Sequence, residues 1–254
     1  MNIGLETYTV RAEQKKSLEK AYLPLMEMGI SELELARIDF TEQNARTIGS
    51  LTEEYGIKPV SIQVKPKYVF GDVGRIAAFC ELTGCKNVVI SMLPFDVILG
   101  REDRFYSFIS TLDGFVERYA GYGLTLGYHH HNWEYVRLSN GRTRMQEILS
   151  LTGIRIVNDT YWTARCGVDP ARQILELGDR LLGIHLRDLT FRKRFLSVLP
   201  TDTYVGGGVI DFRSVLRAAR ETSCRYAVIE QNSSSPYDDI RRSIDYLRKI
   251  KEEL

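Results

Sequence analysis

The sequence predicts an α/β fold, a single (β/α)8 barrel that uses residues 1–254 as one domain. Three observations carry that prediction. Short β-branched or apolar runs alternate eight times with segments whose apolar residues recur at helical spacing, and strands that alternate with helices demand a parallel sheet covered by helices. No break in composition marks a linker. A chain of 254 residues also suits one closed barrel. The rival, an open doubly wound sheet, calls for a glycine-rich loop after the first strand. Here that stretch is Thr7-Tyr8-Thr9-Val10-Arg11, without a glycine.

In order, Ile3 to Tyr8 reads as the first strand, and Ser17 to Met28 as a helix with Leu18, Tyr22, Leu25 and Met26 on one face. Gly29 ends that helix. Glu32 to Ala36 is the second strand, and Thr41 is a suitable N-cap for a helix from Glu42 to Tyr55, closed by Gly56. Val60 to Val64 is the β-branched third strand. A helix to Leu82 follows, introduced by Gly71-Asp72, then a strand from Asn87 to Ser91 and a long amphipathic helix from Glu102 to Tyr122. Thr125 to His129 is the fifth strand, Thr143 to Leu151 a helix, and Ile154 to Asn158 the sixth strand. Pro170 opens a helix to Leu177, where a missing N–H costs nothing. Leu182 to Leu186 and Tyr226 to Glu230 are the last two strands, with helices from Asp211 to Glu221 and from Tyr237 to Glu253.

Hydrophobic residues make up 44% of the chain and charged residues 26%, enough for a large core. Lys and Arg number 34 against 33 Asp and Glu, a net of +1. That balance predicts no pull toward nucleic acid or an anionic membrane surface. Cys80, Cys85, Cys166 and Cys224 fit no paired zinc spacing and are expected as reduced thiols. No run nears the roughly 18 apolar residues of a membrane helix, and the start of the chain has no basic-then-apolar signal. A cytoplasmic protein is the expectation.

The chemistry concentrates at the predicted strand ends, where a barrel of this kind carries its active site. The densest stretch is Tyr128-His129-His130-His131-Asn132-Trp133-Glu134-Tyr135. Burying such groups without partners is costly, so the cluster is expected to face solvent, a metal or a substrate. Glu134, Asp159, His185 and Glu230 stand at four different strand ends. Three carboxylates and one imidazole suit one divalent metal ion, manganese first, with magnesium, cobalt or zinc as alternatives. The plainer reading is that each acid pairs with an arginine or caps the next helix. Phe191 to Gly208 is expected as a long loop, basic at Arg192-Lys193-Arg194 and ending in three glycines. It is read as a cover for the site, as a binder of an anionic substituent at the next helix, or as plain surface.

The chain resembles the sugar phosphate isomerase/epimerase group of xylose isomerase-like TIM barrels. The resemblance rests on Ile3 to Arg11, Tyr128 to Tyr135, Asp159-Thr160-Tyr161-Trp162, Gly167-Val168-Asp169-Pro170, Ile184 to Asp188, Gly206 to Asp211 and Val228 to Gln231. It implies a divalent metal held by Glu134, Asp159, His185 and Glu230. It also implies proton transfer next to a carbonyl, with Glu134 taking the proton and Glu230 returning it. The product would be an isomer or epimer of a small sugar or keto-sugar. His129, His131 and Arg187 would hold hydroxyls, and Trp162, Trp133 and Tyr8 would cover the apolar face of the sugar. The better-known ketose epimerases carry a histidine where Trp162 stands, which makes this chain more like relatives acting on keto-glycosides or cyclic polyols. A lyase or dehydratase acting on a keto-inositol or keto-glycoside is the alternative chemistry. Partners are expected to be a carbohydrate substrate, with no nucleic acid and no membrane, and the oligomeric state is open between monomer and homodimer.

Overall fold

A computed structural model describes residues 2–254, so Met1 at the edge of the predicted domain lies outside the described residues. Eight parallel strands close into a barrel: β1 (Ile3–Glu6), β2 (Glu32–Leu35), β3 (Lys58–Val64), β4 (Asn87–Ile90), β5 (Thr125–His129), β6 (Arg155–Asp159), β7 (Leu181–Leu186) and β10 (Tyr226–Ile229). Their order around the barrel is β1-β10-β7-β6-β5-β4-β3-β2. The expected fold is therefore present. Helices between successive strands cover the outside, and no helix among the described residues is long and apolar enough to cross a membrane.

Helix boundaries follow local chemistry. Thr41 accepts a hydrogen bond from the Asn44 N–H, and Gly56 closes that helix at φ 72°, a left-handed conformation that costs glycine little. Thr143 and Gln146 form a reciprocal capping box on the helix Arg144–Leu151. Asp169 and Asp211 cap the helices Pro170–Leu177 and Phe212–Arg220.

Side chains on a strand alternate between its two faces. Leu5, Leu33, Leu35, Tyr128, Ile184 and Ile229 face the helices and join the large core. The opposite face lines the lumen, whose floor is a small cluster of Val89, Val157, Leu182, Tyr226 and Val228, with Val60 against it. Two register shifts help to fill it. Between β2 and β3, Leu33 pairs with Pro59 but Glu34 with Ser61, leaving Val60 unpaired. Between β6 and β7, Ile156 pairs with Leu181 but Val157 with Gly183, leaving Leu182 unpaired. Each irregularity tucks one extra aliphatic side chain inward.

The segment expected as a loop after β7 is instead an antiparallel hairpin of β8 (Asp188–Arg194) and β9 (Ser197–Thr203). Its basic residues lie toward an exposed tip, beside Phe195 and Leu196. Asp188, buried at its root, accepts the backbone N–H groups of Leu189, Gly206, Gly208 and Ile210. Those glycine donors are thus already used by a side chain of the chain itself, and Asp211 caps the following helix. The anion-binding reading of this segment loses its donors.

Candidate metal centre

Four side chains converge at the mouth, each at or just past the end of a strand. They are His129 on β5, Asp159 on β6, His185 on β7 and Glu230 directly after β10. One donor atom from each lies within 4.8 Å of all the others, and all four residues are buried. Local structure aims each one. Asp159 caps the short helix Thr160–Arg165, its Oδ1 accepting the Trp162 N–H at 3.0 Å. Its Oδ2 is left buried and without a partner. Asp159 therefore caps the next helix with one oxygen and keeps the other unpaired at the mouth.

His129 Nδ1 lies 3.3 Å from the Ser91 carbonyl. A carbonyl only accepts, so Nδ1 carries a hydrogen, which in the neutral ring leaves the lone pair on Nε2. Nε2 is buried, without a partner, 3.5 Å from Asp159 Oδ2 and 4.0 Å from Glu230 Oε2. Two buried acceptors facing one another are costly unless something positive is shared, and the nearest cationic group, Arg187 Nη1, stays 3.7 Å from Asp159 Oδ2, outside hydrogen-bond range. The residues present fit a divalent cation on this ground. Two imidazoles and two carboxylates form a mixed donor set that first-row divalent metals accept.

His185 spans the lumen. Nδ1 lies 2.7 Å from Glu230 Oε2, and Nε2 lies 2.6 Å from Glu34 Oε1. Burial alone would lower its pKa, but the two carboxylates outweigh burial and raise it well above the ordinary histidine value. Glu34 is correspondingly held down at about 2: burial pushes it up, while His185, Ser61 and Tyr226 pull it further down. Glu230 is likewise held below the carboxylate range, where Arg187 and His185 overcome burial. Arg187 ties the rim together. Its Nη1 lies 3.0 Å from Glu230 Oε1 and 3.7 Å from Asp159 Oδ2, and its Nε donates to Asp202 on β9. Its guanidinium sits 4.7 Å over the Tyr161 ring and 5.6 Å from that of Trp162.

The expected donor Glu134 is not brought into this group. It lies in the 3-10 turn Trp133–Tyr135, where its carboxylate takes the Tyr128 hydroxyl and the His131 N–H. Tyr128 belongs to the helix-side core, so the turn carries Glu134 behind β5 instead of over the lumen. Burial raises its pKa despite those hydrogen bonds. His129, expected as a hydroxyl binder, stands among the four donors.

Of the remaining expected residues, His131 and Trp162 line the rim 5.3 Å apart, and His131 Nδ1 and Trp162 Nε1 are both buried without partners. Burial and the neighbouring His129 lower the His131 pKa to about 3. Trp133 is partly exposed. Tyr8 is stacked under Arg11, at 4.0 Å, with Arg37 at 5.4 Å. Among the described residues no hydrogen bond or cation–π contact joins its side chain to the four donors.

Sequence reading left Glu34, at the end of the second strand, without a role and missed Asp202. Glu34 carried a signal, an acid within Glu32-Leu33-Glu34-Leu35 whose neighbours fill the core. Asp202 carried none, because only the hairpin pairing returns it to the mouth.

A closed parallel barrel with a ring of cation-type donors at its mouth defines a class of fold and site. The chain belongs to the xylose isomerase-like TIM barrel family, whose profile matches residues 23–250. Among solved structures it is similar to a sugar phosphate isomerase/epimerase from Parabacteroides distasonis, with 17% identity over 97% of this chain and 93% of that one, at a TM-score of 0.74. It is also similar to the probable 3-DHS dehydratase AsbF of Bacillus anthracis, with 12% identity over 98% and 99% at 0.72. The third is the IolI protein with a bound zinc atom, with 16% identity over 100% and 97% at 0.72. Among curated proteins none matches the chain.

Proposed function

We propose that the protein is a divalent-cation-dependent isomerase or epimerase of a small sugar or keto-sugar. The observation that carries this reading is the pair of partnerless buried atoms, His129 Nε2 and Asp159 Oδ2, facing each other beside His185 and Glu230. His129, Asp159, His185 and Glu230 would hold the cation. When bound, such an ion polarises a carbonyl and its neighbouring hydroxyl and so acidifies the C–H between them. Manganese, cobalt and zinc suit two imidazoles better than magnesium does.

The side chains supply the rest. Glu230, kept ionised by Arg187 and His185, is the carboxylate assigned to proton transfer at the carbon beside the carbonyl. Glu134 is too far engaged behind β5 for the role expected of it. Arg187 holds Glu230 Oε1 and so orients the carboxylate. Trp162 Nε1 offers a donor, the partnerless Asp202 Oδ1 an acceptor, and His131 Nδ1 either one according to its tautomer, for sugar hydroxyls. The Trp162 face is suited to the apolar side of a pyranose.

The test is solvent exchange. Metal-loaded protein in deuterated water should place one deuterium beside the carbonyl of a ketose or keto-glycoside, and Glu230→Gln should abolish it. No exchange across such a panel would refute the reading, and loss of water from the substrate would reassign the protein to the lyases.

A further inference from the structure

Glu34 lies at the end of β2, 151 residues from His185 in sequence, and both side chains are fully buried. Its carboxylate receives the Ser61 hydroxyl, the Tyr226 hydroxyl at 2.8 Å and the Gln63 amide at 3.0 Å. Three donors already converge on this carboxylate, which only accepts, so the His185 nitrogen 2.6 Å away donates as well. The surroundings are built to allow this. Gly183 faces the Tyr226 ring, and a Cβ there would overlap it. The missing side chain is what lets the phenol reach Glu34.

We propose that Glu34 is a positioning residue of the cation site, holding the hydrogen of His185 on Nε2 so that Nδ1, 2.7 Å from Glu230 Oε2, is the nitrogen that gives up its hydrogen and turns to a cation. The inference rests on reading those four donors as a cation site. The same device operates at His129, where the Ser91 carbonyl takes the Nδ1 hydrogen and leaves Nε2 free. The difference is charge. A carbonyl only orients its imidazole, whereas a carboxylate also makes the coordinating nitrogen more basic. Glu34 reaches the reaction only through His185.

A structural core pair would show the same distances, so the test reads something that a core pair would not move. In zinc-loaded protein, 15N NMR of the imidazoles should show His185 with hydrogen on Nε2. Glu34→Gln, which keeps the shape and removes the charge, should weaken Co2+ binding in titration calorimetry by about 10- to 100-fold. Tyr226→Phe removes a donor to the same carboxylate but leaves its contact with His185. It should lower the melting temperature while holding Co2+ affinity within about threefold of the parent, below that 10- to 100-fold range. Should Glu34→Gln fail to fold, Glu34→Asp keeps the charge but withdraws it from Nε2, and should weaken Co2+ binding in the same direction. Hydrogen on Nδ1 in the zinc-loaded parent, or unchanged affinity in the folded Glu34 variant, overturns the inference alone. A parent protein that binds neither Co2+ nor Mn2+ overturns the cation reading and this inference with it.

Discussion

Replacing His129 by alanine should separate the two candidate donors of the β5 end. His129 Nε2 faces Asp159 Oδ2 and Glu230 Oε2, whereas Glu134 is committed to Tyr128 and His131. A four-ligand site of the zinc type is worth roughly 10–16 kcal/mol, or about 2.5–4 kcal/mol for each ligand. At about 1.4 kcal/mol per tenfold, His129→Ala should weaken Co2+ or Mn2+ binding by two to three orders of magnitude. It should also cost the fold about 1–3 kcal/mol, because the part-buried Ser91 carbonyl loses its Nδ1 donor. Glu134→Gln should act on stability alone. It leaves two buried donors with a poorer acceptor, at a cost of about 1–3 kcal/mol in stability, and should spare the affinity. Titration calorimetry and thermal melts of the two variants read both quantities. If Glu134→Gln lost cation affinity and His129→Ala kept it, the assignment made from the geometry would be wrong.

Three further outcomes are expected. Mn2+ at a hundred times its dissociation constant should stabilise the parent by about 2.7 kcal/mol, a rise of roughly 5–10 °C in melting temperature for a chain this long, and Glu230→Gln should remove that rise. Gly183→Ala forces a methyl group into the Tyr226 ring and should cost about 1–3 kcal/mol in urea unfolding; an unchanged midpoint would contradict the packing described. Asp211 has a lowered pKa because Ser214 hydrogen-bonds its carboxylate and the helix N–H groups add to that, so its contribution is present above the unfolded value and fades as pH falls through the folded one. Asp211→Ala should therefore cost about 1 kcal/mol near neutral pH, and the gap from the parent should close on acidification past the ordinary aspartate range, near ~4.

Much of this was legible from residues. The helices Glu42–Tyr55 and Pro170–Leu177 and the strand Thr125–His129 fall where periodicity and caps put them. That Asp159, His185 and Glu230 meet was legible because a parallel barrel sends every strand end to the same mouth. What failed was whatever depends on a fold-back. Glu134 follows the strand end by only five residues, but the 3-10 turn reverses the chain and spends its carboxylate on Tyr128. The hairpin failed for the opposite reason. Thr190 to Thr203 alternates weakly, mixes basic and apolar residues and buries little, so pairing partners rather than pattern decide its structure. Glu34 was visible at its strand end, but its bond to a histidine across the lumen is a product of closure.

The arm built from β8 and β9 takes no share in the ladder that closes the barrel, yet Asp202 on its returning strand grips Arg187, which grips Glu230. Grafting a different arm onto this scaffold should therefore leave the cylinder intact. Any graft that lacks an acid at that one position would free one side of a guanidinium among the donors, so the arm is interchangeable except at its two feet, Asp188 and Asp202.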